Sequence, residues 1–451
     1  MQAGSNTVVV NKNALHGASL LLFGTLMLLP AEPLYAQFWA KCSEASESSK
    51  TSPPSNSELS ELDFNIQQHH QHMFRLEGKF DNEWYLQGHL PSTLKPFDLK
   101  ALETVFKAYS VLKPPFGVLF YTYSTENESL CIWLLGSNGQ IERKRNRVSQ
   151  SDFDAIRPRL LAALGAVPAG SVRDSHEIRK ITDDLMPAKI VSVIEQWKLA
   201  RLLIVPIFDL GEIPYAALIL KDGRLLMDVV RITILPGFYV LGEQPQRRPS
   251  GQLEESFIAA YEGGSGCEPT LKHALAGTDK VKKLLGVKPE TPVLRRVREA
   301  SKWLRAGASP RFIFIAAHGV SNQSDPVDGG YVCMEDGRWT GRQVADLRMN
   351  GGLKSNPIVI LSACESGTGK MFDVGAIGLS RAWYYAGAST VVASLWRVDE
   401  LKAMELMESF VEKAKSLPPD EALWKAMQAL RAKNNPVDWA AFSVFGGLLT
   451  Q

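Results

Sequence analysis

Two residue types that can together perform nucleophilic chemistry, a histidine and a cysteine, lie just beyond two apolar runs. His318 follows FIFIAA, and Cys364 follows IVILSA. The thiolate is the reactive form of cysteine, and a free cysteine is only a few per cent ionised at neutral pH. A neighbouring imidazole can accept the thiol proton and later return a proton to a leaving amine, which is worth roughly 10²–10⁴-fold in rate. The two residues therefore indicate a cysteine nucleophile with a histidine base.

Both apolar runs have the composition of parallel strands that are buried on both faces of an α/β sheet. They are rich in Ile, Leu, Val and Phe, and they lack the two-residue alternation of a half-exposed strand. The later run TVVASLW at 390–396 has the same character. Sites in open parallel sheets form beyond the carboxyl ends of the strands. If the first two strands are neighbours, His318 and Cys364 project into one cleft.

A tetrahedral intermediate at such a site needs hydrogen-bond donors for its oxyanion. The backbone N–H groups of Gly319 and Cys364 are the amides nearest the two strand ends, and losing one such donor typically costs about 10²–10³ in rate. The alternative interpretation is a buried apolar cysteine and a core histidine, which is the commoner role for either residue taken alone.

Composition limits the classes of function. The 451 residues are enough for two or three domains with a sizeable core. A net charge of +2 argues against a dedicated nucleic-acid-binding protein. The basic cluster RKRNR at 143–147 is interpreted as a solvated face between strands, with a polyanion or partner patch as the alternative.

The five cysteines are few, odd in number and widely scattered. Their spacing matches neither a metal-ligand pattern nor a disulfide framework, so we predict neither. Cys131, Cys267 and Cys333 are expected to be packing or loop residues.

The first 97 residues are predicted to lie outside the folded part. Residues 1–36 contain the apolar run LLLFGTLMLLP, which is shorter than a bilayer span, followed by a possible cleavage point after Ala36. This pattern predicts a secretory signal, and hence a periplasmic or extracellular protein, with an uncleaved membrane anchor or a helix of the fold as alternatives. Residues 37–97 are expected to be a flexible tether and lead-in, because 41–60 are rich in Ser, Glu and Pro.

A histidine cluster lies within this tether. No carboxylate or cysteine is spaced to complete a metal site there, so we expect a solvated segment. The cluster consists of His69, His70 and His72.

From residue 98 the chain is predicted to be globular. Residues 98–200 indicate an α+β part with a helix, antiparallel strands and further helices, and residues 201–451 contain the buried strands. Between His318 and Cys364, a DG turn at 336–337 indicates a hairpin, and Thr340 is a plausible cap for a crossover helix.

One segment partly matches a phosphate-binding P-loop motif. The segment CESGTGKM follows a strand and contains Gly-Lys, but Cys364 stands where a P-loop needs its first glycine. Met371 stands where the P-loop needs the hydroxyl residue that holds Mg²⁺. A nucleotide-binding switch therefore remains only a minor alternative.

Several segments together resemble the CHAT domain, a caspase-like cysteine peptidase domain related to separase and often attached to tetratricopeptide repeats. They are AAHG, VILSACESGTG, AIGLSRAWYYAGASTVVASLWRVDE and the late NPVDWAAF, and the resemblance extends upstream through LLIVPIFDLGEIPYAAL to about residue 98. The resemblance implies a caspase-like sheet of mainly parallel strands flanked by helices, with an N-terminal α+β subdomain. It also implies that His318 and Cys364 form the peptidase dyad, with oxyanion amides from Gly319 and Cys364. No metal or organic cofactor is implied.

The sequence departs from the family pattern at several positions. Ala317 replaces an expected Thr, and Ser366 replaces a frequent Thr. Arg397 stands where Pro is common, at a position where an Arg in caspases can bind an acidic side chain before the cleaved bond. Asp399 lies near where separase-like relatives could select a basic side chain, so the two residues suggest opposite specificities. The alternative is that Arg397 and Asp399 pair with each other or face solvent.

The sequence thus predicts a bacterial-type, exported or membrane-tethered CHAT cysteine endopeptidase. Its expected substrate is a specific protein or peptide, with control by a regulatory protein partner and no nucleic acid. Membrane contact is expected only if the N-terminal segment stays uncleaved. The alternative function is a catalytically inactive CHAT fold that acts as a protein-interaction module.

Overall fold

The structure is a computed structural model of the chain. It describes residues 40–43, 54–84, 97–109, 114–168, 175–243, 247–264, 267, 270–348, 351–372 and 374–446. These residues all belong to one compact unit that runs from Gln37 to Gln451. The predicted signal segment at 1–36 lies outside the described residues.

Within the described residues, ten strands form one large sheet, and five more form two small ones. The strands of the large sheet are β1 (Phe116–Ser124), β2 (Ser129–Gly136), β3 (Ile141–Arg147), β4 (Arg201–Val205), β5 (Arg231–Ile234), β6 (Phe257–Ala260), β7 (Phe312–Ala316), β11 (Ile358–Ser362), β14 (Thr390–Ser394) and β15 (Phe442–Gly446). The strands of the small sheets are β8 (Gly319–Val320), β9 (Tyr331–Met334), β10 (Gly337–Thr340), β12 (Gly369–Phe372) and β13 (Gly375–Gly378). The orders are β3-β2-β1-β4-β5-β15-β14-β11-β7-β6, β10-β9-β8 and β12-β13.

The large sheet consists of two parallel blocks that run in opposite directions. Strands β6, β7, β11 and β14 are mutually parallel, and so are β1, β4, β5 and β15. The blocks meet where β14 and β15 pair antiparallel, and β2 and β3 extend the sheet antiparallel beyond β1. The carboxyl ends of β7 and β11 therefore lie at the same edge of the sheet.

Helices cover both faces of the sheet. They are α1 (Asn56–Trp84), α2 (Leu99–Tyr109), α3 (Gln150–Ala166), α4 (His176–Leu185), α5 (Ala188–Gln196), α6 (Tyr239–Glu243), α7 (Ala274–Leu285), α8 (Val297–Arg305), α9 (Gly341–Ala345), α10 (Leu379–Tyr385), α11 (Glu400–Ala414), α12 (Pro419–Leu430) and α13 (Pro436–Trp439). Within the described residues, no helix has both the length and the apolar character needed to span a membrane.

The two-sided cover explains the unbroken apolar runs in the sequence. In β7, Phe312 and Phe314 join one core cluster with α3, α7, α11 and α12, whereas Ile313 and Ile315 join the other with α2, α8 and α10. Strand β11 divides its side chains in the same way. Because each face meets helices, both sets of side chains are apolar, as the sequence indicated.

The predicted flexible tether is wrong for the residues that the structure describes in it. Helix α1 begins at Asn56, and its apolar residues Leu62 and Ile66 are fully buried in the core. Cys42 is buried as well and is disulfide-bonded to Cys131 in β2. The region is polar on average, but α1 carries a narrow apolar stripe. This stripe is enough to hold the helix in the fold because it packs against the sheet.

The expectation of solvated histidines is also wrong for His69 and His70, which are buried. The His69 ring lies edge-on to Phe120 and Phe238, with centroids 5.5 and 5.6 Å away. These imidazoles belong to the aromatic core beneath α1.

The structure contains two disulfides, so the prediction of none is wrong. Cys42 pairs with Cys131, and Cys267 pairs with Cys333. The paired residues are 89 and 66 positions apart and meet only through the tertiary fold, so their spacing carried no signal. Cys364 is the one free cysteine of the five.

The basic cluster at 143–147 forms the outermost strand, β3. Its side chains are partly exposed as predicted, except that Arg143 is buried and forms ion pairs with Glu58 at 3.4 Å and Glu61 at 2.8 Å. Arg143 thereby ties α1 to the edge of the sheet.

Candidate functional site

His318 and Cys364 lie at matching ends of neighbouring strands. Strands β7 and β11 pair in parallel, with Ala316 opposite Ser362. His318 and Cys364 therefore each follow the same register pair by two residues. The predicted juxtaposition of the two strand ends is found in the structure.

Both side chains line one small pocket. Each is half-buried, and the Cys364 thiol donates a long contact to the carbonyl oxygen of Val398 at 3.9 Å. The other lining residues are Leu271, Ala274, Ala316, Ala317, Ser362, Ala363, Ser394, Val398, Glu400, Ala403, Met404 and Phe442. The pocket is lined mainly by apolar side chains.

Gly319 passes against the backbone of the cysteine. A Cβ atom on Gly319 would lie 2.2 Å from the carbonyl oxygen of Cys364 and 3.2 Å from its nitrogen. Only glycine allows this approach without displacing one of the two segments. The two amides predicted to hold an oxyanion thus belong to backbone segments in direct contact.

We expect Gly319→Ala to lower kcat/KM for peptide cleavage by about 10²–10³-fold, because the added methyl group displaces one of the two oxyanion amides. A chromogenic peptide assay measures the rate, and circular dichroism checks the fold. Gly165→Ala is the matched control, since nothing lies within 4 Å of its Cβ position. A fully active Gly319→Ala variant would show that this segment does not hold the oxyanion.

The turn after Cys364 is fixed to the end of β14 by two buried serines. The Ser366 hydroxyl donates to the carbonyl oxygen of Ala363 at 2.7 Å and accepts from the Ser394 N–H at 3.2 Å. The Ser394 hydroxyl donates to the same Ala363 oxygen at 2.7 Å. Glu365 adopts a φ of 53°, which is an uncommon left-handed conformation for a residue with a side chain. These bonds hold the turn after Cys364 in a sharp conformation.

A buried carboxylate that the sequence did not single out supports the next segment. Glu212 is 1% exposed, and it accepts from the Gly369 N–H at 3.0 Å, at the start of the β12–β13 hairpin. Its other oxygen forms an ion pair with Arg157 of α3 at 2.9 Å. Arg157 also donates to the carbonyl oxygen of Leu395, just after β14. The Glu212–Arg157 pair therefore connects α3 with the start of β12 and with the residue that follows β14.

Burial raises the pKa of Glu212 to about 8, although Arg157 and the Gly369 amide oppose the shift. Burial likewise raises the pKa of Asp209, which also interacts with Arg157, to about 6. Both carboxyl groups therefore bind protons more tightly in the folded state than in the unfolded chain.

A raised pKa in the folded state gives a contribution to stability that is complete below the unfolded pKa and is lost as pH rises through the folded pKa. For Glu212 this window runs from its ordinary value of 4.5 to about 8. Gln cannot ionise at this position. As the pH rises through this window, we therefore expect the unfolding free energy of Glu212→Gln to fall less than that of the wild type. Urea unfolding at several pH values measures the difference, with the exposed Glu290→Gln as control. Equal pH slopes in wild type and Glu212→Gln would contradict the shift.

The two predicted specificity residues lie beside the pocket rather than among its lining residues. The Arg397 side chain is 82% exposed and forms an ion pair with Glu365 at 3.4 Å. Asp399 caps α11 by accepting from the Lys402 N–H at 3.1 Å. The opposite-specificity hypotheses stay predictions, and Glu365 is the partner of Arg397 that the sequence did not reveal.

The nucleotide-binding alternative is not supported by the local structure. Lys370 lies in β12 opposite Ile377 of β13, so a hairpin follows Cys364 where a P-loop requires a helix. The chain continues as β13, and the helix α10 begins only at Leu379.

The chain is similar to one protein family and to several known proteins. The family model of the CHAT domain matches residues 176–447 of this chain. Mouse tetratricopeptide repeat protein 28 is 29% identical over 111 residues, which are 24% of this chain and 4% of that protein. The separase–securin complex of Saccharomyces cerevisiae superposes with a TM-score of 0.55 and 11% identity, covering 86% of this chain and 34% of the separase chain. Gingipain R superposes with a TM-score of 0.39 and 12% identity, covering 64% of this chain and 69% of that one.

The superposition on separase confirms the predicted fold, an α/β sheet of mainly parallel strands of the caspase-like kind. The match spans about a third of the separase chain and a twenty-fifth of the mouse protein. Because the family match covers more than half of its residues, the protein belongs to the CHAT domain family.

Proposed function

We propose that this protein is a cysteine endopeptidase that cleaves peptide bonds in a specific protein partner. The observation that carries the proposal is the shared pocket of His318 and Cys364, reached from two register-matched strand ends. The caspase-like fold and the CHAT family match support it.

In the proposed mechanism, the His318 imidazole takes the thiol proton of Cys364, and the thiolate attacks the carbonyl carbon of the scissile bond. The amides of Gly319 and Cys364 donate to the resulting oxyanion. The imidazolium returns its proton to the leaving amine as the C–N bond breaks, which leaves a thioester on Cys364. Water, deprotonated by His318, then hydrolyses the thioester and restores the thiol.

A protein substrate fits the position of the site at an open sheet edge. The yeast neighbour is a separase in complex with securin, which supports a protein partner for this chain as well. Arg397 and Asp399 stand beside the pocket as the proposed specificity residues. Arg397 favours an acidic residue before the cleaved bond, whereas Asp399 favours a basic one.

We also propose that the protein is exported by the signal at 1–36. The two disulfides support this, because such bonds form and persist in oxidising compartments. The N-terminal sequence of the mature protein tests the proposal. A chain that retains Met1 in the cytoplasm would contradict it.

A peptide-library cleavage profile, with and without iodoacetamide, tests the peptidase proposal. Cys364 is the one thiol outside the two disulfides, so alkylation modifies the nucleophile selectively. We expect a narrow set of cleaved sequences that disappears on alkylation. A library that stays uncut, together with an alkylated protein that still captures its partner, would favour the inactive interaction module.

A further inference from the structure

The strongest unassigned feature is a basic groove on the far side of the small sheet from β8. The groove lies between α8 and the β9–β10 hairpin and has an empty volume of about 1200 Å³. Its lining includes four exposed cations and one carboxylate. The cations are Arg298, Lys302, Arg305 and Arg338, and the carboxylate is Asp336.

The cations are arranged along one face rather than scattered. Arg298, Lys302 and Arg305 are spaced four and three residues apart on α8, which places them on one side of the helix. Arg338 extends the row from β10, where its guanidinium lies over the Tyr331 ring at 4.5 Å. The opposite face of α8 is apolar, with Ala300 and Leu304 in the core.

The carboxylates near the groove neutralise only part of this charge. Asp336 accepts from the N–H groups of Val297 and Arg298 at 2.6 and 3.3 Å, so it serves mainly as the cap of α8. It reaches the Arg298 side chain at 3.9 Å. Asp346 interacts electrostatically with Arg305. Positive charge therefore remains in excess along the row.

The groove is connected to the proposed catalytic histidine through two strands. Arg338 lies opposite Cys333 in the β9–β10 pair, and the Cys333 N–H donates to the His318 carbonyl oxygen at 2.8 Å. Two strand spacings correspond to about 10 Å, which an extended peptide covers in about three residues. Cys333 is also held by its disulfide to Cys267, so this connection is well fixed.

We propose that this groove binds an acidic, carboxylate-rich segment of the protein that the site cleaves, outside the scissile bond itself. The identification of the occupant as substrate rests on the proposed peptidase function, but the binding does not. Guanidinium groups bind carboxylates in a bidentate manner, and a row of them suits an extended peptide. The lining residues include no aromatic ring on which nucleobases could stack, so a peptide suits the groove better than a nucleic acid.

The test measures fluorescence anisotropy of short labelled probes with the full chain carrying Cys364→Ala, so that no probe is cut. The probes are an alternating Glu-Ser peptide, a matched Gln-Ser peptide and a single-stranded oligonucleotide. The charge-removing variant is Arg298→Gln/Lys302→Gln/Arg338→Gln. The matched control removes three exposed lysines elsewhere, as Lys221→Gln/Lys283→Gln/Lys288→Gln.

We expect the Glu-Ser peptide to bind more tightly than the Gln-Ser peptide, with an affinity that falls as salt screens the charges. The groove variant should lose about tenfold in affinity and the control variant almost none, since three exposed pairs together amount to about one factor of ten. Lys302→Glu alone should also weaken Glu-Ser binding, which guards against a misfolded triple variant.

Three results would overturn the proposal: equal affinity for the Glu-Ser and Gln-Ser peptides, an equal loss in the control variant, or tighter binding of the oligonucleotide than of the Glu-Ser peptide. The peptidase function is judged separately, from cleavage by the protein with Cys364 intact. If acidic-peptide binding maps to the groove but cleavage is absent, the groove stands and the peptidase proposal fails.

Discussion

Replacing Cys364 with alanine is expected to abolish peptide cleavage, with kcat/KM falling by roughly 10⁴-fold or more. The loss is this large because, in the proposed mechanism, the thiolate forms the covalent intermediate, so its removal eliminates the pathway rather than weakening one contact. The oxyanion amides of Gly319 and Cys364 are backbone groups that the variant retains. They can support only a small residual rate over the uncatalysed reaction.

The fold should tolerate this change. Cys364 is half-buried at the edge of an open pocket, and its thiol makes one long contact to Val398. Alanine removes a single sulfur atom and leaves the hydrogen bonds of the turn in place, because the Ser366 and Ser394 hydroxyls donate them to the carbonyl oxygen of Ala363. The melting temperature should therefore remain close to that of the wild type.

A second substitution separates the nucleophile from the base. His318→Gln keeps the thiol but removes the proton acceptor, and general base catalysis accounts for roughly 10²–10⁴-fold. Its activity should therefore lie between the wild type and Cys364→Ala. Cleavage that persists in the folded Cys364→Ala variant would refute the peptidase mechanism and leave the interaction module as the function to pursue.

The sequence was sufficient to predict that His318 and Cys364 lie at one edge of the sheet, because the evidence for this is local. The apolar runs before His318 and Cys364 indicated strands buried on both faces, and the carboxyl ends of neighbouring parallel strands must share an edge. The sequence also predicted Thr340 as a helix cap, and in the structure the Thr340 hydroxyl accepts from the Gln343 N–H. Such features depend on a few consecutive residues.

The features that the sequence did not reveal depend on residues far apart in the chain. Glu212 and Gly369 are separated by 157 positions, and Arg157 of α3 donates to Leu395 just after β14. Nothing around Glu212 in GEIPYAAL marks it as buried and ion-paired. A charged residue within an otherwise apolar and turn-rich segment is the one signal that could have drawn attention to it.

Removal of the disulfides is the second change with a large expected effect. One bond should affect stability alone, whereas the other should affect both stability and activity. Cys42–Cys131 closes a loop of 89 residues and fastens the segment before α1 onto β2. Loop-closure entropy for this length corresponds to about 4–5 kcal/mol of stability. Cys267–Cys333 closes 66 residues and has a similar entropic effect, but Cys333 also bonds the His318 backbone.

We therefore expect Cys42→Ala/Cys131→Ala to lower the unfolding free energy by about 4–5 kcal/mol while leaving kcat/KM almost unchanged under native conditions. Cys267→Ala/Cys333→Ala should lose a comparable amount of stability and also lose activity, because the strand that holds His318 is released on one side. Urea unfolding and peptide cleavage of the two double variants, measured in parallel, distinguish these roles. Equal activities in both variants would mean that the Cys267–Cys333 bond stabilises the fold without positioning His318, and the catalytic geometry would then rest on the β7–β11 register alone.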